Sequence, residues 1–210
     1  PQISEITPEA GPLREVYDAA LRQGVRLYPA QQKAAALGSS NQRSLGIMMP
    51  TSAGKTYTII AYVYLRIKLM RERLMREGRG DKKPQIHVTT TTDLLVKEGA
   101  STAQKIYNGL KEGPRIRVGY IVSANGKRGE ARECFIYDMS SDEPRQVKEE
   151  ELYEQADVIY GLPDYFNFYS QSEGKAFFGD ETYRGTRHMV MDEGDLYAVD
   201  RASNPYLISG

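Results

Sequence analysis

The chain has 210 residues, with 28 Lys and Arg against 28 Asp and Glu, and 40% of its residues are hydrophobic. That length suits one large domain, and a formal charge of zero argues against binding nucleic acid through a broad basic surface. A single cysteine, Cys134, and two histidines, His87 and His188, exclude an internal disulfide framework and a His/Cys zinc cluster. The 15 Tyr and 5 Phe argue against disorder. No signal-peptide pattern opens the chain, and its longest apolar stretch, Ile59–Leu65, falls well short of the ~20 residues of a spanning helix. A start on Pro1 in place of Met leads us to expect a piece of a longer protein, and these features together a soluble domain from a reducing compartment.

Residues 1–12 hold Pro1, Pro8 and Pro12 and read as an extended lead-in, and 13–210 as one domain. Leu13, Val16, Tyr17, Ala20 and Leu21 keep a helical period. Pro29 opens a second helix through Leu37. Leu45–Met49 is a short apolar run that suits a buried parallel strand, and a long helix is predicted from Lys55 to about Glu77. Gln85–Thr91 reads as the next strand, and Asp93 as the N-cap of a helix from Leu94 to about Leu110. Arg115–Val122 and Glu133–Asp138 are predicted strands. The acidic stretch Asp142–Glu154 reads as a solvated helix or insertion. Asp157–Tyr160 and His188–Met191 close the series of strands. Strands alternating with helices predict βαβ units, and hence an α/β fold with a mostly parallel sheet.

Pro50-Thr51-Ser52-Ala53-Gly54-Lys55-Thr56 keeps the decisive half of a phosphate loop, with Met49 in place of the usual first glycine. The preceding strand and following helix supply the context that such a loop needs. Backbone N–H groups of Ser52, Ala53 and Gly54 would face phosphate oxygens. Lys55 would reach the β- and γ-phosphates of ATP, and the Thr56 hydroxyl would hold Mg²⁺. The strand Met189-Val190-Met191 ends in Asp192-Glu193, a pair of adjacent carboxylates. In P-loop ATPases the first such acid serves Mg²⁺ and the second acts as the base that orients water, which makes Glu193 and Lys55 the candidate catalytic residues. Upstream, Gln31 can bond an adenine edge, and Tyr28 can stack on the base.

These three elements resemble the helicase-like motor ATPases of superfamily 2, and other stretches are similar to the SecA family in particular. Gln85–Leu95, Ala156–Gly161 with Phe166–Tyr169, Asp192–Asp195 and Asp200–Gly210 all look like stretches of its DEAD-like first nucleotide-binding domain. The resemblance runs from about residue 13 to Gly210. It implies a three-layer RecA-like P-loop NTPase lobe that binds ATP with Mg²⁺, the residues being Tyr28, Gln31, Thr51, Ser52, Ala53, Gly54, Lys55, Thr56, Asp192 and Glu193. It further implies a protein translocase that couples ATP hydrolysis to polypeptide movement. Its partners would be an unfolded preprotein and a membrane translocon, its location cytoplasmic and peripheral to the membrane, and a homodimer of the intact protein stays open. By the same resemblance, Pro205–Gly210 matches the junction where a preprotein-crosslinking domain is inserted. Glu98, Ser170–Ser172 and Ser203 depart from the family pattern, so a divergent relative without an export role is one alternative. A nucleic-acid helicase lobe and a catalytically dead scaffold are the others.

The eight basic residues between Arg66 and Lys83 suit a charged helix face balanced by Glu72, Glu77 and Asp81 better than a lipid or nucleic-acid contact. The tyrosines between Tyr153 and Tyr183 read as packing or a polypeptide-facing surface, and His87 and His188 as structural.

Overall fold

The computed structural model describes residues 8, 11–40, 49, 53–124, 131–139, 141–166 and 187–192. The predicted strand at Leu45–Met49, apart from Met49, and the segments holding Thr51, Ser52, Glu193 and the chain end at Pro205–Gly210 lie outside the described residues. So do Phe168, Tyr169 and Tyr183.

The described chain folds as α1 (Pro12–Arg22), α2 (Pro29–Ser40), α3 (Lys55–Arg76), β1 (Gln85–Thr89), α4 (Asp93–Asn108), β2 (Val118–Ser123), β3 (Arg132–Tyr137), β4 (Pro144–Val147), α5 (Glu149–Gln155), β5 (Val158–Gly161) and β6 (Arg187–Met191). One sheet takes all six strands in the order β4-β3-β2-β5-β1-β6. β2, β5, β1 and β6 run parallel, and β3 and β4 extend one side as an antiparallel ribbon. Every residue of β1, β2 and β5 is buried, as expected of parallel strands covered on both faces.

Side-chain alternation assigns the two faces. His188 on β6 accepts from the Arg66 Nε of α3 at 3.0 Å, and Tyr160 on β5 lies against Gly99 of α4. α3 and α4 therefore cover that face, joined by the Tyr107 hydroxyl, which donates 3.0 Å to the Ile60 carbonyl. On the other face the His87 ring stacks on Phe166 at 4.4 Å and meets Tyr153 of α5 edge-on. Three layers result, with the α/β architecture expected from the sequence.

Several local expectations shift. Thr92 caps α4, its hydroxyl accepting from the Leu95 N–H at 3.2 Å, so Asp93 is displaced from the cap into the first turn. Asp93 instead accepts from the Ser123 N–H and hydroxyl, tying α4 to the end of β2. The strand predicted from Arg115 begins at Val118, because Arg117 spends its backbone on Asp157. The acidic stretch does contain the expected helix, which is solvated on one face only. It forms edge strand β4 and then α5, whose Leu152 and Tyr153 are buried beneath the glutamates.

The basic stretch of α3 pairs inside the molecule, with more distant partners than expected. Lys68 meets Glu15 of α1 at 2.7 Å, where Tyr64 also donates, and Arg71 meets the buried Asp157 at 3.0 Å. Arg73 takes Glu77, four residues on, at 2.6 Å. Tyr153, Tyr160 and Tyr165 are all core residues, so packing explains this part of the tyrosine-rich stretch. Cys134 is buried too, and burial, with Glu149 nearby, pushes its thiol up to about 12, far from nucleophilic. No helix among the described residues is long and apolar enough to cross a membrane.

Candidate nucleotide site

The carboxyl ends of the parallel strands bring Thr89, Ser123, Gly161 and Asp192 to one edge of the sheet, the edge at which open α/β sheets take ligands. Asp192 extends the pairing of β6, its N–H donating 2.9 Å to the Thr89 carbonyl. The opposite edge is pinned by Asp157. Its carboxylate accepts from Arg71 of α3 at 3.0 Å and from the Arg117 N–H at 2.9 Å. Arg71 thus fixes the later turns of α3 at the amino edge. Lys55 begins the helix about 24 Å back along its axis at 1.5 Å per residue, toward the carboxyl edge.

The start of α3 differs from those of α1, α4 and α5, while α2 likewise has no acid in its first turn. α1, α4 and α5 each carry acidic residues in the first turn, and Thr92 caps α4 with a side chain. α3 has neither: its first turn has no acid and its N-cap is Gly54, which has no side chain to offer. A 22-residue helix therefore presents the positive end of its dipole uncompensated, the electrostatic condition for holding an anion. Lys55 and Thr56, half-buried in that first turn, add a cation and a hydroxyl.

Gly54 is required by geometry. It sits at φ +73°, in the left-handed region, and a Cβ there would collide with the Gln31 amide nitrogen. Gln31 is 3% exposed and works as a clamp. Its Nε2 donates to the carbonyls of Ala53 at 2.7 Å and Gly54 at 3.2 Å, while its Oε1 accepts from the Tyr28 N–H at 2.8 Å. The residue expected to read adenine with both donor and acceptor has its two N–H donors committed to the loop, leaving one lone pair of Oε1. Tyr28 beside it is 59% exposed, with its ring open to stacking.

Asp192 lies on the face that α3 covers, being two residues beyond Val190 and four beyond His188. Gln31, Ala53, Gly54, Lys55 and Thr56 are thus gathered around one helix start, and Asp192 faces the same helix from the end of β6. Thr51, Ser52 and Glu193 lie outside the described residues. A divalent cation fits this donor set. A hydroxyl and a carboxylate oxygen are hard ligands of the kind such a cation takes.

Tyr160 is the residue that the sequence reading passed over. Its hydroxyl is buried without a partner among the described residues. The signal was a phenol ending the apolar run Val158-Ile159, where Phe would have satisfied packing alone.

Comparison with known proteins agrees with this geometry. Residues 28–207 match the family described as DEAD/DEAH box helicase. Among curated proteins, the protein translocase subunit SecA 1 of Corynebacterium glutamicum is 29% identical over 77% of this chain and 15% of its own length. The protein translocase subunit SecA of Koribacter versatilis is 31% identical over 77% of this chain and 13% of its own. For SecA 1 of Corynebacterium diphtheriae the figures are 28%, 89% and 17%. The chain therefore spans only about a sixth of the length of these relatives.

Proposed function

Because the chain belongs to the DEAD/DEAH box helicase family, we propose that it is the ATP-binding and ATP-hydrolysing motor domain of a SecA-like protein translocase, coupling hydrolysis to polypeptide movement across a membrane. The observation that carries the ATP reading is the uncapped, acid-free start of α3 behind left-handed Gly54, with Asp192 on the facing strand. The SecA similarity supports the translocase reading.

In this mechanism the helix start and the loop amides bind the nucleotide phosphates, and Lys55 neutralises the β- and γ-oxygens. Tyr28 stacks on the base beside Gln31. Thr56 and Asp192 would hold Mg²⁺, which would supply charge stabilisation to the phosphates. Glu193 orients the attacking water and accepts its proton. Nearly all the catalytic work is positioning and electrostatics, so the residues must be preorganised rather than reactive. The unfolded polypeptide and the translocon are the partners of this reading, at the cytoplasmic side of the membrane.

The test is the ATPase rate of the intact protein, alone, with single-stranded nucleic acid, and with translocon-containing membranes plus an unfolded precursor. Stimulation by membranes and precursor is expected. Stimulation by nucleic acid alone would instead assign the helicase activity for which the family is named, and no turnover under any condition would make the domain a scaffold.

A further inference from the structure

Tyr160 sits in register with Val88 of β1, and Val88 with Val190 of β6. Registered residues of neighbouring parallel strands point to the same face, and Asp192 follows Val190 by one full side-chain repeat. Tyr160 and Asp192 therefore project into the same layer, under α3 and α4, at the carboxyl edge. The ring is held there: Tyr160 is 3% exposed, and a Cβ on Gly99 would lie 2.9 Å from its Cε1, so α4 can approach only because that residue is glycine.

The hydroxyl at the end of this fixed ring has no hydrogen-bond partner among the described residues. Leaving a buried hydroxyl unbonded is destabilising, a cost that Phe would not incur. The shared face is the geometric ground, and it agrees with the phenol being raised above its ordinary value by burial first and then by the Asp192 charge. A buried phenol hydroxyl that shares a face with a carboxylate can serve it as a donor.

We infer that Tyr160 is a positioning residue: its hydroxyl donates to the Asp192 carboxylate through one bridging water, and so fixes the rotamer in which Asp192 serves the nucleotide-bound Mg²⁺. The metal half of this inference rests on the proposed ATP site. Residues that orient a metal ligand typically change metal affinity by about 10–100-fold when removed.

The experiment is a double-mutant cycle of Tyr160→Phe and Asp192→Asn in the intact protein, with two readouts. The first is the Mg²⁺ concentration needed to saturate binding of a fluorescent ADP analogue. Tyr160→Phe is expected to raise it about tenfold while leaving metal-free nucleotide affinity unchanged, and to have no such effect once Asp192 is Asn. The second is the thermal midpoint without nucleotide or metal, where the two substitutions should be non-additive. Equal effects of Tyr160→Phe in both backgrounds, or no effect, would overturn the inference. If the parent protein binds nucleotide without any dependence on Mg²⁺, the proposed ATP site is what fails. The thermal cycle then judges the Tyr160–Asp192 contact by itself: non-additivity upholds it and additivity overturns it.

Discussion

The side-chain amide of Gln31 donates 2.7 Å to the carbonyl of Ala53, fastening the start of α2 to the loop that precedes α3. That loop has no side-chain cap of its own, so this bond sets its shape. Gln31→Ala removes two donors from loop carbonyls and one acceptor from Tyr28. We expect nucleotide affinity to fall about tenfold, equivalent to one buried network bond at ~1.4 kcal/mol. Gln31→Glu, which keeps the acceptor and loses the donors, should do the same. Titration with a fluorescent nucleotide measures both.

Gly54→Ala asks more of the loop. The new methyl group is disfavoured by φ +73° and driven into Gln31. Because the two strains act on the same turn, binding should be lost while α3, anchored by its other contacts, still folds. Circular dichroism with a helical signal near that of the parent, together with absent nucleotide binding, is the expected pair of results.

The catalytic roles separate in a simple comparison. Lys55→Ala should abolish nucleotide binding, since the only cation of the α3 first turn is gone. Glu193→Gln should retain binding and lose turnover by about two to four orders of magnitude, the usual contribution of a positioned base. Parental ATPase in Glu193→Gln would remove that residue from the base role.

Asp157 gives a stability prediction at the other edge of the sheet. Its side chain is 5% exposed and holds Arg71, itself 29% exposed, as well as the Arg117 backbone. Breaking a buried pair by removing one partner costs about 3–5 kcal/mol, which for a domain of this size lowers the thermal midpoint by roughly 10 °C. Asp157→Ala in a thermal melt tests this, and a shift within 1–2 °C, roughly what a surface substitution gives, would contradict it.

His188 makes stability depend on pH. Burial first, and then the neighbouring Arg66 guanidinium, hold its pKa below the ordinary 6.5. The unfolded chain therefore takes up the proton before the folded one does. The stabilising contribution is complete above pH 6.5 and is lost as pH falls from there through the lowered folded value. Melting midpoints measured from about pH 7.5 to about 5.5 should fall more steeply for the parent than for His188→Gln.

Contiguous signals were legible in the sequence, whereas those that join distant segments were not. Gly54-Lys55-Thr56 is a motif because its residues are adjacent along one turn, and Gly78 follows α3 at a positive φ of 69°, a reason local to the backbone. The Gln31 clamp spans 22 residues to Ala53, and Arg71 reaches Asp157 across 86, so neither pairing could be read from spacing. β4 was missed because Pro144-Arg145-Gln146-Val147 is a polar edge strand with only one face to cover. Thr92 displaced Asp93 as the cap because both side chains can cap, and Ser123, known only from the fold, claimed the aspartate.

The sheet order carries a consequence for synthesis on the ribosome. β1 and β6 are partners, yet about a hundred residues separate Gln85 from Arg187. At roughly 5–20 residues per second, this edge of β1 waits about 5–20 s for β6 to emerge, and its other edge waits for β5, which is also made later. An apolar, unpaired edge of that kind is a target for chaperones and a seed for aggregation. Asp192, the carboxylate at the end of β6, reaches its place only with β6, so the emerging chain has its Lys55 helix well before it has that carboxylate beside Thr89.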